Sequence, residues 1–482
     1  MEREPLLGGR NSGHSSGHRY VQYSQPPSSD GSVETSVYSY CGDNYVIPPD
    51  RRKSRSLTVD TQASIDESPP RRFHWPLFIC LVTLAHVGVL LYICIAGGVE
   101  KIGYKSTLEH MLINKFGYIG SHERNDSVHK QNISRYTGVN VFIGPNSSFL
   151  VHVGAKFVPC MKKLTVMEER IAKIAKQEAD FGCCSFRGEC GMMLNASCPG
   201  VIIRNCSSGS LNCTNGITLR PCCLGLHSQC EVTSEQSCIF RRGHWYKDKM
   251  LCSDVNCLDG ICGMTGVKHK TGGHQGYRLI TPIFLHLGVL HLIMNLFFQV
   301  PVGMLIEREI GTVRMALIYL ISGIGGNLIC GLFSPLTPQA GASGALFGLI
   351  GLLIIKLLQL RHEVKRPCVE ALILLGVVLV SFALGTLPYI GNFVHIGGFF
   401  FGLFASLVFL PRLNFRCQSL AIYLSFKVVA FAFLFCVIVA TSLAFFFIKS
   451  ANFCWWCQYI DCVPYTEHFC PTMNEDGFLN GS

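Results

Sequence analysis

The chain has 482 residues, 49% of them hydrophobic, with positive mean hydropathy and a formal net charge of +10. Such apolar content excludes an ordinary soluble protein of this size, and it is concentrated in long runs. Because the basic residues flank those runs, the charge reads as membrane topology and gives no reason to propose nucleic-acid binding.

Residues 1–72 are rich in Ser, Gly, Pro and Tyr and show no apolar periodicity, so a disordered cytosolic tail is expected. No apolar segment follows a basic start, which excludes a signal peptide. Glu2-Arg3-Glu4-Pro5-Leu6-Leu7 resembles an acidic dileucine signal, which would recruit cytosolic sorting adaptors and route the protein toward endosomes or lysosomes. RRKSRSLT (51–58) sets Ser54 and Ser56 among basic residues, as basophilic kinases prefer; a juxtamembrane cluster drawn to anionic lipid is the competing reading.

A helix needs about 20 apolar residues to cross the hydrocarbon. Seven stretches qualify: 75–97, 279–300, 313–333, 341–360, 368–387, 391–411 and 424–448. The expected fold is therefore an all-α polytopic membrane protein. Arg51, Arg52, Lys53, Arg55, Arg71 and Arg72 precede the first span; Arg361, Lys365 and Arg366 follow the fourth, and Arg412 and Arg416 the sixth. A cytosolic N-terminus puts all of them in the cytosol, and puts the 98–278 loop and the 449–482 tail in the lumen. The candidate glycosylation sequons at Asn125, Asn132, Asn146, Asn195, Asn205, Asn212 and Asn480 then all fall on the luminal side.

Cysteines agree. Of 25, 14 lie between Cys160 and Cys262 and four more, Cys454, Cys457, Cys462 and Cys470, in the tail, which suggests a disulfide-rich luminal domain at 98–278. Cys454-Trp455-Trp456-Cys457 reads as a structural disulfide beside an interfacial Trp pair, since no thioredoxin-like pattern surrounds it. Within the loop, Thr165 and Glu168 have capping-box spacing, and Leu164, Met167, Ile171 and Ile174 recur at helical intervals, predicting a short amphipathic helix over 165–179.

A polar residue inside hydrocarbon is costly and needs a reason. LHLGVLHLIMN carries His286, His291 and Asn295; read as helix, His291 and Asn295 share a face while His286 lies about 140° away. Ser343 sits between Gly341 and Gly344, and His395 is followed by Gly398 and Gly402. Glycines four apart let helices approach closely, so packing of the Gly344/Gly348 stripe on the Gly398/Gly402 stripe would bring the Ser343 hydroxyl to the His395 imidazole. A neutral histidine is the usual base for a serine nucleophile. Backbone N–H groups at Ser343, with side-chain donors from His291 and Asn295, would form an oxyanion hole. Taken singly each residue has a blander reading: a span serine ordinarily back-bonds to a carbonyl one turn earlier, and a span histidine ordinarily makes a helix–helix hydrogen bond. No HExxH pattern is present, so no metal is expected at His286 and His291, and GASGA does not fit the GxSxG elbow.

In combination, YRLITPIFLHLGVLHLIMN (277–295), Glu309-x-Gly311-x-x-Arg314, SGIGGN (322–327), GASG (341–344) and H-x-x-G-x-x-x-G from His395 to Gly402 resemble the rhomboid intramembrane serine proteases. The resemblance implies a six-helix core within 279–411 plus a seventh span at 424–448, with Ser343 as nucleophile, His395 as general base, and His291 and Asn295 as oxyanion donors. It further implies transmembrane proteins as substrates, cleaved near the luminal end of a single span, with no cofactor. Tyr277-Arg278 stands where many members have Trp-Arg, and is expected to anchor at the interface. Phe347 stands where many have Tyr, and its ring is expected to stack on His395. The polar tail, large cysteine-rich loop and seventh span are similar to the inactive rhomboids, which as a group act as cofactors for trafficking of other membrane proteins. Those carry a proline where this chain has Ala342 and lose catalytic residues, whereas Ser343, His395, His291 and Asn295 are present here. An active secretory-pathway protease is the leading expectation, a silent membrane chaperone the alternative. A channel or transporter is disfavoured, because no inverted repeat is visible and no acidic residue lies inside a predicted span.

Overall fold

The computed structural model describes residues 74–99, 140, 142–186, 189–203, 219–226, 229–241, 243–267, 272–361, 364–386, 390–410, 420–450, 454, 456–461, 472–473 and 479–480. They fall within a unit running from Gln62 to Ser482. The 1–72 tail with its dileucine and Ser54/Ser56 motifs lies outside the described residues, as do Asn125, Asn132, Asn205 and Asn212.

Seven helices among the described residues are long and apolar enough to cross a membrane: Leu77–Gly97, Val289–Ile310, Thr312–Phe333, Ser343–Leu360, Pro367–Leu384, Asn392–Phe409 and Ala421–Phe447. They are called spans 1 to 7. Spans 3, 4 and 6 are the most buried and pack on one another. Span 5 buries none of its residues, and span 7 few. Span 7 nevertheless packs Leu434, Val437 and Ile438 into the core and Phe433 on Phe404 of span 6.

Span 2 departs from the hydropathy reading of 279–300. Residues 276–283 form two short 3-10 turns, and the helix starts at Val289 after the extended Gly288. The cause is a second chain segment: Val289 N and Leu290 N donate to Ile143 O and Phe142 O, and Asn140 Nδ2 donates to Leu287 O at 2.7 Å. Phe142 and Ile143 thus satisfy the helix's first two N–H groups, which would otherwise face hydrocarbon unpaired. His286 consequently precedes the helix, and the 140° helical offset from His291 does not apply.

The same shift brings Glu307 inside span 2, correcting the expectation that no span holds an acid. Glu307 is fully buried and accepts from Phe78 N and Ile79 N, each at 2.8 Å, and from Thr312 Oγ1 at 2.7 Å. It caps the N-terminus of span 1, where free N–H groups and the helix dipole favour a carboxylate. Glu307→Gln should lower the stability of the detergent-solubilised chain by about 2 kcal/mol, because the amide oxygen can still accept from one of the two N–H groups while the amide NH2 faces the other, and the charge is lost. A melting temperature equal to wild type would show that the carboxylate does not hold span 1. The nearby motif has structural uses as well: Glu309 pairs with Lys356, Gly311 turns the chain at φ 89°, and Arg314 donates to Ile310 O.

Between spans 1 and 2 lie two antiparallel three-stranded sheets. One has the order β2-β1-β3, from β1 (Phe181–Phe186), β2 (Glu189–Leu194) and β3 (Val201–Ile203); the other has β5-β4-β6, from β4 (Arg220–Leu224), β5 (Gln229–Thr233) and β6 (His244–Trp245). Disulfides join Cys160–Cys262, Cys184–Cys198, Cys222–Cys238, Cys223–Cys257 and Cys230–Cys252. The amphipathic helix is present at Thr165–Gln177, with Leu164 and Met167 buried. Its capping box does not form: Leu164 is the N-cap residue, so Thr165 lies inside the helix, and its hydroxyl donates instead to Lys449 O.

This loop region is sewn to the span ends. Lys156 and Gln339 exchange backbone hydrogen bonds of 2.8 and 2.9 Å, and Lys156 Nζ donates to Ser334 O at 2.8 Å. Lys162 Nζ donates to Phe445 O and Ile448 O at the end of span 7, and burial lowers its ammonium to about 8. Arg278 is 0% exposed. It donates to Val151 O, Ala155 O, Cys262 O and Gln275 Oε1, and burial lowers it only to about 10, so it stays charged at neutral pH. Tyr277 likewise reaches the loop region, its hydroxyl 3.1 Å from Thr265 Oγ1.

Candidate functional site

Small residues determine how closely spans 3, 4 and 6 meet. A Cβ on Gly398 would lie 2.0 Å from Gly344 O, and one on Gly402 2.2 Å from Gly348 Cα. The two stripes are therefore in backbone contact. From span 3, Gly326 likewise meets the Val394 and Gly398 backbone, Gly325 packs on the Phe401 ring, and Asn327 Nδ2 donates to Leu279 O at 2.9 Å.

Ser343 is the first residue of span 4 and is half-buried. Its position decides between two readings of a span serine. Ser322 and Ser406 each donate to the carbonyl four residues earlier at 2.6 Å, the ordinary back-bond. Ser343 has no preceding helical turn and so lacks that partner. Gly341 just before it has φ 145°, and a Cβ there would lie 2.7 Å from His291 Cε1. Glycine is needed on both counts.

Around His395 the structure is aromatic. Phe347 stacks on it with ring centres 4.2 Å apart and planes 8° from parallel, and Phe382 approaches both rings edge-on. His395 is 4% exposed and its Nδ1 is buried without a partner. Gly344 contacts Val394, so the backbones bearing Ser343 and His395 run side by side. Among the described residues, however, no hydrogen bond joins the hydroxyl to the imidazole. His291 lies under Gly341, with Nδ1 3.5 Å from Leu287 N. Asn295 Nδ2 donates at 2.9 Å to the His291 carbonyl of its own helix. One amide hydrogen of Asn295 is thereby occupied within span 2.

The tail after span 7 reaches this site. Cys454 and Cys457 are disulfide-bonded, and Cys457 is buried with Cys330, Phe393 and Val394. Asp461 accepts from Ser334 Oγ and from Phe393 N, and Asn392 Nδ2 donates to Ile460 O at 2.7 Å. The start of span 6, three residues before His395, is thus fixed by the tail, and burial raises the Asp461 carboxyl. Of the remaining sequons, Asn146 accepts from Phe149 N as a helix cap, Asn195 is exposed beyond β2, and Asn480 lies in a two-residue strand.

Sequence reasoning missed Glu307, Arg278 as a buried clamp, and His86 in span 1. The rule that flags polar residues in hydrocarbon would have found His86. Phe382 carries no signal, since an aromatic residue in an apolar span is unremarked.

Residues 273–412 match the Rhomboid domain family. Inactive rhomboid protein 1 of Danio rerio is 30% identical over 479 residues, covering 84% of this chain and 53% of the relative. Inactive rhomboid protein 1 of Homo sapiens is 30% identical over 477 residues with the same shares, and inactive rhomboid protein 2 of Homo sapiens 29% identical over 496, covering 89% and 55%. The chain spans about half the length of the curated relatives it matches. With seven apolar helices, glycine-paired spans 4 and 6, and this match, the chain is a multi-pass membrane protein belonging to the rhomboid superfamily.

Proposed function

We propose that the chain is a catalytically silent rhomboid-like membrane chaperone or trafficking cofactor that grips single-span membrane proteins through its spans and its loop region. The expectation of proteolysis by Ser343 and His395 is corrected by one finding: relatives similar over 84% of the chain are named inactive rhomboid proteins. The Rhomboid domain match covers 273–412, less than a third of the chain, so the similarity takes in much more than the spans of a protease core. The absence, among the described residues, of a hydrogen bond between Ser343 and His395 accords with this reading. A serine hydroxyl without a base to take its proton is a poor nucleophile.

The reading includes an orientation: N-terminus in the cytosol, loop region and C-terminal tail in the lumen of the secretory or endosomal system. Every described disulfide follows span 1 or span 7, on one side of seven crossings, while the free cysteines Cys80, Cys94, Cys330, Cys368 and Cys436 lie within the spans. That division fits an oxidising lumen. On the other side, the N-terminal tail is available to sorting adaptors.

Maturation of a co-expressed single-span client should proceed equally with wild type and Ser343→Ala, and should fail when 98–278 is deleted. A fluorophosphonate probe should leave Ser343 unlabelled. Client maturation lost in Ser343→Ala, together with labelling of the wild type, would reject the proposal.

A further inference from the structure

Two disulfides tie the β5-β4-β6 sheet to one short segment. Cys223 of β4 is bonded to Cys257, and Cys230 of β5 to Cys252. The segment they reach, 252–262, is itself well anchored. Glu178 accepts from Cys252 N and Ser253 N at 2.9 and 2.8 Å, Cys262 is bonded to Cys160, and the Cys262 carbonyl accepts from Arg278. The two bonds are thus covalent tethers between a sheet and the part of the loop region that Arg278 holds.

Sulfur atoms of the two tethers are crowded together. Sγ of Cys223, Cys230 and Cys257 all lie within 4.8 Å of one another. Free thiols so close could ligate a metal, but all three are bonded in disulfides, so the chemistry they offer is exchange. The sheet register supplies an independent fit. Cys223 and Cys230 are direct partners across β4 and β5, in a run of five paired residues from Arg220 to Leu224. Direct antiparallel partners have Cα atoms about 4.5–5.5 Å apart, inside the range of about 4.4–6.8 Å that a disulfide spans. A Cys223–Cys230 bond therefore asks for no backbone movement. The same ladder keeps the two cysteines opposed when either tether is cut.

We propose that Cys223, Cys230, Cys252 and Cys257 form a redox switch in which one two-electron reduction releases both tethers. The reductant is a dithiol. Its thiolate attacks Sγ of Cys230, the most exposed of the four, and Cys252 leaves as a thiolate and takes up a proton. The second sulfur of the dithiol attacks the mixed disulfide, which frees the Cys230 thiolate and closes the dithiol's own disulfide. Cys230 then attacks Sγ of Cys223; the Cys223–Cys257 bond breaks, and Cys257 leaves and is protonated. One disulfide has been reduced and one has moved, and the two hydrogens of the dithiol end on Cys252 and Cys257. The sheet keeps Cys222–Cys238 and gains Cys223–Cys230, while its covalent hold on the 252–262 segment is gone. An oxidising setting keeps sheet and segment joined; a reducing one lets them part. The switch is independent of any client and of Ser343.

The test needs no variant. The purified full chain in detergent, with its disulfides intact, is titrated with dithiothreitol, acid-quenched, alkylated and digested for disulfide mapping by mass spectrometry. When label first reaches any of the four cysteines, it should be on Cys252 and Cys257 together, with Cys223 and Cys230 joined to each other. Peptides carrying Cys252 and Cys257 should then come free of those carrying Cys223 and Cys230. Label on Cys230 and Cys252 with Cys223–Cys257 intact would overturn the switch, because the freed thiol would not have exchanged. So would label on Cys223 and Cys257 with Cys230–Cys252 intact, label on all four at once, or no label on any of them before the chain unfolds.

Discussion

Arg278→Ala is expected to loosen the loop region from the spans and to lower stability by roughly 4 kcal/mol or more. The guanidinium is fully buried and its donors hold three backbone carbonyls from different parts of the loop, Val151, Ala155 and Cys262, together with the Gln275 side chain. Charge-assisted hydrogen bonds are worth about 1.5–3 kcal/mol each, and their removal also strands the carbonyls they satisfied. Lysine keeps the charge but not the planar fork, so Arg278→Lys should recover less than half of the loss. Melting of the detergent-solubilised chain reads the magnitude, and limited proteolysis within 140–267 shows where the structure opens. An alanine variant that melts with the wild type and resists protease equally would remove Arg278 from the account of how the loop is held.

Gly402→Ala and Gly398→Ala are also expected to be strongly disruptive, because the new methyl group would meet backbone. Two effects compete. Alanine improves helix propensity over glycine by up to about 1 kcal/mol. Against that, a Cβ on Gly402 would lie 2.2 Å from Gly348 Cα and one on Gly398 2.0 Å from Gly344 O, and neither atom can swing aside. Spans 4 and 6 must part along their length, and overpacking in a tight core costs typically 1–3 kcal/mol, with more where nothing can yield. A net loss of about 3 kcal/mol is expected for each. Gly376 is the control: nothing lies within 4 Å of its would-be Cβ and span 5 buries no residue, so Gly376→Ala should melt at or slightly above the wild type. Equal stability of Gly402→Ala and Gly376→Ala would mean that spans 4 and 6 are not in backbone contact.

Some of this was legible beforehand, and particular residues show why the rest was not. Seven apolar helices follow from hydropathy, a property each segment carries alone. The stacking of Phe347 on His395 was expected from family position, and the rings lie 4.2 Å apart. The capping box at Thr165 failed because Leu164 enters the helix in extended backbone and so takes the cap position itself. The start of span 2 was misplaced because an apolar run marks what can enter hydrocarbon, while Phe142 and Ile143, more than a hundred positions away in sequence, fix where the helix begins. Once that start moved, Glu307 fell inside a span and His286 left the helix. The serine and histidine are written in the sequence, but whether they serve catalysis depends on hydrogen bonds and relatives that spacing does not report.

By itself, then, the sequence determined that this is a multi-pass membrane protein, with seven helices among the described residues long and apolar enough to cross, and which glycines could bring helices together, since both depend on residue type and local period. Only the tertiary structure decided which buried polar groups meet: Arg278 with the loop carbonyls, Glu307 with span 1, and His86 with His286. The reason is physical. Transfer into hydrocarbon is scored one segment at a time, whereas a buried charge or imidazole is tolerated only by partners brought from elsewhere in the chain.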